Sequence, residues 1–185
     1  MENTQKKILN PTALRHAYLT VFDWVTVASV VLVVVTLLLT YVFRLVGVQG
    51  DSMKSTLHHG DRLLLSSTAS VYQSGDIVVI DRYTEEPLIK RVIAVGGNTV
   101  EIKDAEVYVN DRKLEEHYAQ FDKANANGRY YEKIIVPRGY LFVLGDNRDH
   151  SQDSRDDEIG LISVNDVVGR VVYCIWPPAR FGSVQ

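Results

Sequence analysis

The 185-residue chain carries one cysteine, Cys174. A single thiol excludes an internal disulfide framework and any zinc site built on cysteines. Cys174 lies in the apolar run Val171–Trp176, where a small thiol reads as a buried core residue. The chain also lacks an excess of positive charge: its net charge is −3, and from Arg44 onward 17 basic residues face 21 acidic ones. A mildly acidic main domain is not the basic face of a nucleic-acid binder, so no nucleic-acid partner is expected. Internal repeats and low-complexity tracts are missing too, which excludes solenoid and linker architectures.

What is present is divided unevenly. Trp24 to Phe43 contains no charged residue, and its only polar members are Thr26, Ser29, Thr36 and Thr40. At 1.5 Å rise per residue such a stretch spans about 30 Å, the thickness of a bilayer's hydrocarbon core. Serine and threonine hydroxyls can return to the helix's own carbonyls, and Trp24 and Tyr41 sit where aromatic rings favour headgroups. The stretch is too long for a signal-peptide core, and Arg44-Leu45-Val46-Gly47 offers no small-x-small cleavage site. A single transmembrane helix over 24–43 is expected, after a short N-terminal segment, 1–23, and before a main domain, 44–185. Lys6, Lys7 and Arg15 on one side balance Arg44, Lys54 and Arg62 on the other, so charge alone does not orient it.

Beyond the anchor no segment keeps a helical period. Arg62–Ser67, Asp76–Arg82, Leu88–Val95 and Thr99–Lys103 are short Val/Ile/Leu-rich runs bounded by turn residues. Val107 to Leu114 alternates about Asn110-Asp111 and reads as a hairpin. Ile134–Val136, Tyr140–Gly145 and Val167–Trp176 add strands, while His117–Lys133 is polar and aperiodic and reads as a surface loop. The fold expected is mainly β: a single transmembrane helix followed by an antiparallel β-sheet domain.

Several segments carry more polar detail than a β core needs. In Gly50-Asp51-Ser52-Met53-Lys54-Ser55-Thr56-Leu57 a glycine-containing turn presents Ser52, either as a plain turn residue or as a nucleophile awaiting a base. In Leu88–Val95, Lys90 shares a strand face with Leu88, Val92 and Ala94. Such a lysine either snorkels to water or loses hydration; a pKa near 8 would take about 3 kcal/mol of desolvation. From Gly145 to Glu158 there are six acids and two arginines. Asp149, Ser151 and Asp153 match the start of a calcium loop, but Ser154 replaces its turn glycine and Gly160 its closing glutamate. A loop bridged by its own Asp–Arg pairs fits better, and neither metal nor cofactor is expected. A Ser-His-Asp set is a rival, but nothing singles out one of His58, His59, His117 or His150.

In this order, the anchor, Ser52-Met53 with Thr56-Leu57, Gly75-Asp76-Ile77-Val78-Val79, Lys90-Arg91-Val92-Ile93, and Gly145-Asp146-Asn147-Arg148 through Ser151, Asp153, Ser154 and Arg155 resemble the bacterial type I signal peptidases. The resemblance implies a membrane-bound serine endopeptidase that removes signal peptides from exported preproteins after small-x-small sites. It implies Ser52 as nucleophile and Lys90 as general base, with Ser151 hydrogen-bonded to the lysine amine. Asp153 would pair with Arg155 under the site, and Asp146 would belong to the same support. Met53, Leu57 and Ile89 would line shallow pockets for small side chains. The resemblance further implies a bacterial plasma-membrane location, with the N-terminal segment cytoplasmic and the β domain outside. Two departures stand out: Ser55 replaces the family's usual proline, and Ala94-Val95-Gly96-Gly97-Asn98 replaces a Gly-x-Pro-Gly-Asp string. Two rivals compete with this reading. One is a self-cleaving Ser–Lys repressor, which would need a DNA-binding domain where this chain has an anchor. The other is a catalytically silent tethered binding domain, which would be indifferent to Ser52 and Lys90.

Overall fold

The computed structural model describes residues 11–68, 71–81, 87–121 and 131–184. It divides into two units, Met1–Tyr41 and Val42–Gln185.

The first unit is one helix, α1, Pro11–Tyr41. Proline suits the first helical turn because its missing N–H has no intrahelical partner there. The helix therefore begins well before Trp24, and it ends two residues before Phe43. Its apolar window is Tyr18–Leu38, 21 residues of mean hydropathy 2.4, long enough to cross a bilayer. Each serine and threonine hydroxyl of residues 24–43 returns to the carbonyl four residues back: Thr26 to Phe22 (2.9 Å), Ser29 to Val25 (2.8 Å), Thr36 to Leu32 (2.8 Å) and Thr40 to Thr36 (2.7 Å). This satisfies the polar groups without water.

The second unit is β-rich. Its strands are β1 (Phe43–Gly47), β2 (Arg62–Ser66), β3 (Ile77–Ile80), β4 (Leu88–Val95), β5 (Thr99–Lys103) and β6 (Glu106–Val109). They continue as β7 (Arg112–Lys113), β8 (Tyr131–Ile135), β9 (Tyr140–Leu144), β10 (Ile162–Ser163), β11 (Val167–Trp176) and β12 (Gly182–Ser183). The larger sheet has the order β1-β2-β11-β3-β4-β9-β10 with β12 on β11; the smaller has the order β7-β6-β5-β8. Every strand pair is antiparallel.

Most strands lie where alternation puts them, and β4, β5 and β11 have the expected bounds. Asn110 (φ 51°) and Asp111 (φ 63°) make the β6–β7 turn left-handed, as a two-residue hairpin loop requires. Three strands were not foreseen. Phe43 starts β1 and pairs with Ser66 rather than ending the helix. Its apolar neighbours Leu45 and Val46 fit a strand as well as a helix, so composition did not mark the handover. β10 and β12 have two residues each, too few to show a period. The expected loop His117–Lys133 is corrected at its end, because Tyr131–Lys133 belong to β8, paired with β5; residues 122–130 lie outside the described residues.

The consequential strand is β4. It lies between β3 and β9, and residues 89–94 are all buried. Pairing with β9 starts at Arg91↔Leu144, so β9 leaves the sheet just where Lys90 comes, and the chain runs on into Gly145-Asp146. A strand buried on both faces that contains Lys90-Arg91 must pair or neutralise two cations.

Candidate active site

Ser52 sits on a tight turn that the Lys54 amide closes by donating to the Asp51 carbonyl (3.1 Å). Gly50, at φ +77°, lets the chain enter that turn. Asn147 grips the turn from the loop after β9: its backbone N–H donates to the Ser52 carbonyl (2.9 Å) and its Nδ2 to the Asp51 carbonyl (3.1 Å). Gly145 is what permits this approach. A Cβ on Gly145 would stand 2.2 Å from Ser151 Oγ and 2.7 Å from the Ser52 carbonyl oxygen.

Lys90 reaches the turn from β4. Its Nζ donates to Ser52 Oγ at 2.8 Å, and the residue is only 3% exposed. Burial lowers its pKa from 10.5 to about 8. The Asp153 carboxylate works against that fall, and the Arg155 guanidinium adds to it. Asp153 is itself fully buried and holds Arg155 by two prongs, Nε to Oδ1 (2.7 Å) and Nη2 to Oδ2 (2.9 Å). Asp153 also accepts the Gly145 amide (3.0 Å). The ion pair thus brings near Lys90 a carboxylate that is already neutralised, so burial dominates.

Ser52 and Lys90 open on a cavity of about 430 Å³, with Gly50, Leu88, His150 and Ser151 among its walls. A hydroxyl in contact with a buried amine whose pKa is lowered to about 8 has the geometry in which an amine can accept a serine proton. Among the described residues no group of His, Cys, Asp and Glu is placed to hold a metal ion.

A family model described as signal peptidase, peptidase S26, matches residues 21–176. The chain belongs to the signal peptidase family. It is 34% identical over 166 residues to signal peptidase I of Bacillus licheniformis, covering 84% of this chain and 89% of that protein. It is 33% identical over 159 residues to signal peptidase I P of Bacillus subtilis subsp. natto, covering 80% and 85%. With signal peptidase IB of Staphylococcus aureus (strain COL) the identity is 29% over 178 residues, covering 87% and 92%. The crystal structure of a signal peptidase I from Enterococcus faecalis V583 is 31% identical, with a TM-score of 0.46, covering 56% of this chain and 98% of that one. The protein is accordingly a serine peptidase, a hydrolase of the signal peptidase class.

Within this signal peptidase the expected site residues divide. Ser52, Lys90, Ser151, Asp153 and Arg155 come together at one place. The hydrogen bond expected from Ser151 to Lys90 is not formed; Ser151 Oγ is buried without a partner on the wall of the same cavity. Asp146 is corrected as well, since it pairs with Arg91 rather than with the Asp153–Arg155 support. Met53, Leu57 and Ile89, expected to line substrate pockets, are 2%, 1% and 7% exposed and pack in the core with Leu63, Leu65 and Val79. None of the three borders the cavity beside Ser52, where Leu88 supplies the aliphatic wall. The turn that half-exposes Ser52 directs Met53 and Leu57 inward, and Ile89 joins them from the buried strand β4, which sequence order alone does not reveal.

Four further positions carry the site without having been assigned a part: Arg91, Gly145, Asn147 and Arg148. Arg148 donates from Nε to the Gly145 carbonyl (3.0 Å) and grips Glu116 with both Nη atoms. Glu116 also accepts the Tyr118 hydroxyl (3.0 Å); burial first, and this carboxylate second, push that phenol up out of titration range. Ser55, the departure from the usual proline, donates its hydroxyl to the Tyr118 carbonyl. The signal that could have found Arg91 is its place beside Lys90 in an all-apolar strand, where a second cation demands a carboxylate.

Proposed function

We propose that this signal peptidase removes N-terminal signal peptides from exported preproteins, with Ser52 as nucleophile and Lys90 as general base. The observation that carries the reading is the 2.8 Å contact between Ser52 Oγ and a lysine whose pKa burial has brought to about 8. At pH 7.5 an amine of that pKa is neutral about a quarter of the time, against roughly one part in a thousand at the ordinary lysine value. In the neutral state the hydrogen bond reverses: Ser52 Oγ–H donates to the Nζ lone pair. Lys90 takes that proton as Oγ forms its bond to the scissile carbonyl carbon, and the Ser52 backbone amide is the donor proposed for the oxyanion. The ammonium then gives the proton to the departing amide nitrogen as the C–N bond breaks, leaving an acyl-serine and neutral Lys90. Water attacks the ester with Lys90 again accepting the proton, which returns to Ser52 Oγ as the new carboxylic acid leaves. In these later steps Ser151 Oγ is the group proposed to hold the lysine amine.

Leu88, the one aliphatic side chain beside Ser52 in the cavity, suits a small apolar side chain before the cut, and cleavage after small-x-small sites is the specificity proposed with it. The apolar window of α1 supports a single-pass membrane anchor; a bacterial plasma membrane, with the N-terminal segment cytoplasmic and the β domain outside, is the location proposed from the family resemblance. Such an anchor brings the site to the bilayer that holds the substrate's own apolar segment.

The test is cleavage of a preprotein with a small-x-small site by the full chain in detergent micelles, beside Ser52→Ala and Lys90→Met. Both variants should lose at least 10³-fold in rate while keeping the β circular dichroism of the wild type. Lys90→Arg should be equally inactive, because a guanidinium stays charged in this range. Cleavage retained by either Ser52→Ala or Lys90→Met refutes the dyad.

A further inference from the structure

Next to the Ser52–Lys90 cavity lies a second one, about 520 Å³, lined by Ala119, Gln120, Phe121, Asn147, Asp149 and His150. Asp149 and His150 border both cavities, so the two share a rim. The second cavity is tied in register to the nucleophile. Gln120 forms a parallel bridge with Asn147: its N–H donates to the Asp146 carbonyl (2.7 Å) and its own carbonyl accepts the Arg148 N–H (2.8 Å). Asn147, one wall of this cavity, is also the residue whose N–H and Nδ2 grip the Ser52 turn. The other anchors of the wall, Glu116 to Arg148 and Tyr118 to Ser55, reach the same two segments.

We infer that this second cavity is the binding site for the polypeptide on the leaving side of the cut, the first few residues of the mature protein. The inference rests on the Ser52–Lys90 reading given above. The half of the substrate that becomes the acyl group is held covalently at Ser52, against Gly50 and Leu88. An extended chain that continues past Ser52 Oγ must leave over a rim of this cavity, and the Asp149–His150 rim opens into a further cavity. The lining there suits that occupant. Two carboxamide residues, Gln120 and Asn147, and an imidazole offer donors and acceptors to a peptide backbone, and Phe121 is the one large apolar side chain among the described residues of the lining. When the C–N bond breaks, the leaving half carries a new α-amino group, which takes up a proton at neutral pH. An enzyme that binds both halves of its substrate uses remote contacts to place the scissile bond, so peptides cut short after that bond should react poorly.

The test compares two peptides with the same small-x-small sequence before the cut, using the full chain in detergent micelles. One ends in a simple amide immediately after the scissile bond, and the other continues for six residues. The wild type should process the longer peptide at least tenfold better in kcat/KM. Gln120→Trp, at an exposed side chain on the cavity wall, should erase most of that preference, chiefly through KM, and Gln120→Asn should retain it. A benzophenone on the second residue after the cut, bound to the Ser52→Ala protein, should crosslink to the segment 119–121. Equal rates for the two peptides in the wild type, an undiminished preference in Gln120→Trp, or crosslinks confined to Gly50 and Leu88 would overturn the inference. These outcomes are separable from failure of the dyad, which would show as cleavage of both peptides by Ser52→Ala.

Discussion

Arg91 and Asp146 form a buried two-pronged ion pair one residue beyond Lys90, with Nε to Oδ1 and Nη2 to Oδ2 both at 2.8 Å. The pair is closed on every side. Arg91 also donates to the Gly75 carbonyl (3.0 Å) and to Thr56 Oγ1 (3.2 Å), lies 3.8 Å from the centre of the Tyr118 ring, and Thr56 donates to Asp146 (2.5 Å). It joins β4 to the loop after β9 and to the helical turn after Ser52. Removing Arg91 alone leaves an unmatched carboxylate at a site with no exposure. Arg91→Met should therefore cost about 3–5 kcal/mol of stability, read as a lower urea midpoint. The double variant Arg91→Met/Asp146→Asn should recover part of that loss, and equal losses in single and double variants would deny the coupling.

The pH dependence follows from Lys90. In the proposed mechanism its neutral form is the active one, so kcat/KM should rise with pH through a limb near pH 8, the value to which burial lowers it. The same burial has a thermodynamic sign. The folded-state pKa lies below the unfolded value of 10.5, so the protein is penalised for holding the ammonium below about pH 8. That penalty shrinks as pH rises from there and is gone above 10.5. It amounts to about 3 kcal/mol. Lys90→Met should be inactive yet more stable than the wild type at pH 7, with the gain fading by pH 10.5. Thermal unfolding at the two pH values checks this, and an equal gain at both would remove the desolvation account.

Gly145 is needed for space. Adding one methyl group forces Ser151, the Ser52 carbonyl, or both to move. Gly145→Ala should lower kcat about 100-fold or more through displacement of Ser52, the proposed nucleophile. With Ser151→Gly alone as the reference, the double variant Gly145→Ala/Ser151→Gly should still lose about tenfold or more, because the clash at 2.7 Å with the Ser52 carbonyl remains. Single-turnover kinetics of the two variants decide the point.

Ser151 presents a buried hydroxyl without a partner in the free enzyme. Ser151→Ala removes an unpaired polar atom, so the thermal midpoint should not fall. If its Oγ positions the lysine amine during the reaction, the rate should fall about 10²–10³-fold. A wild-type rate in Ser151→Ala would take it out of the mechanism.

The hydrophobic run of α1, the strand β4 with Lys90-Arg91 at its centre, the Asn110-Asp111 hairpin and the acidic loop after β9 were all legible in the sequence. Each is written in neighbouring residues, through apolar period, turn chemistry or the order of motifs. The sequence by itself therefore determined a β-rich domain behind an apolar helix, and its motif order, by resemblance, picked out Ser52 and Lys90 as the pair to test. Contacts between distant segments were decided only by the tertiary structure. Ser52 and Lys90 are 38 residues apart, and Arg91 and Asp146 are 55 apart. Only the packed sheet brings them within hydrogen-bond reach. The same packing turned Met53, Leu57 and Ile89 inward, where motif order had suggested a pocket. It also gave Asp146 to Arg91, because the alternation of β4 sends its two cations to opposite faces: Arg91 meets Asp146 on one, and Lys90 meets the Ser52 hydroxyl on the other. The lysine's lowered pKa belongs to the tertiary structure for a plain reason. Desolvation depends on what surrounds a charge in space, and the strand Leu88–Val95 states only what precedes and follows it.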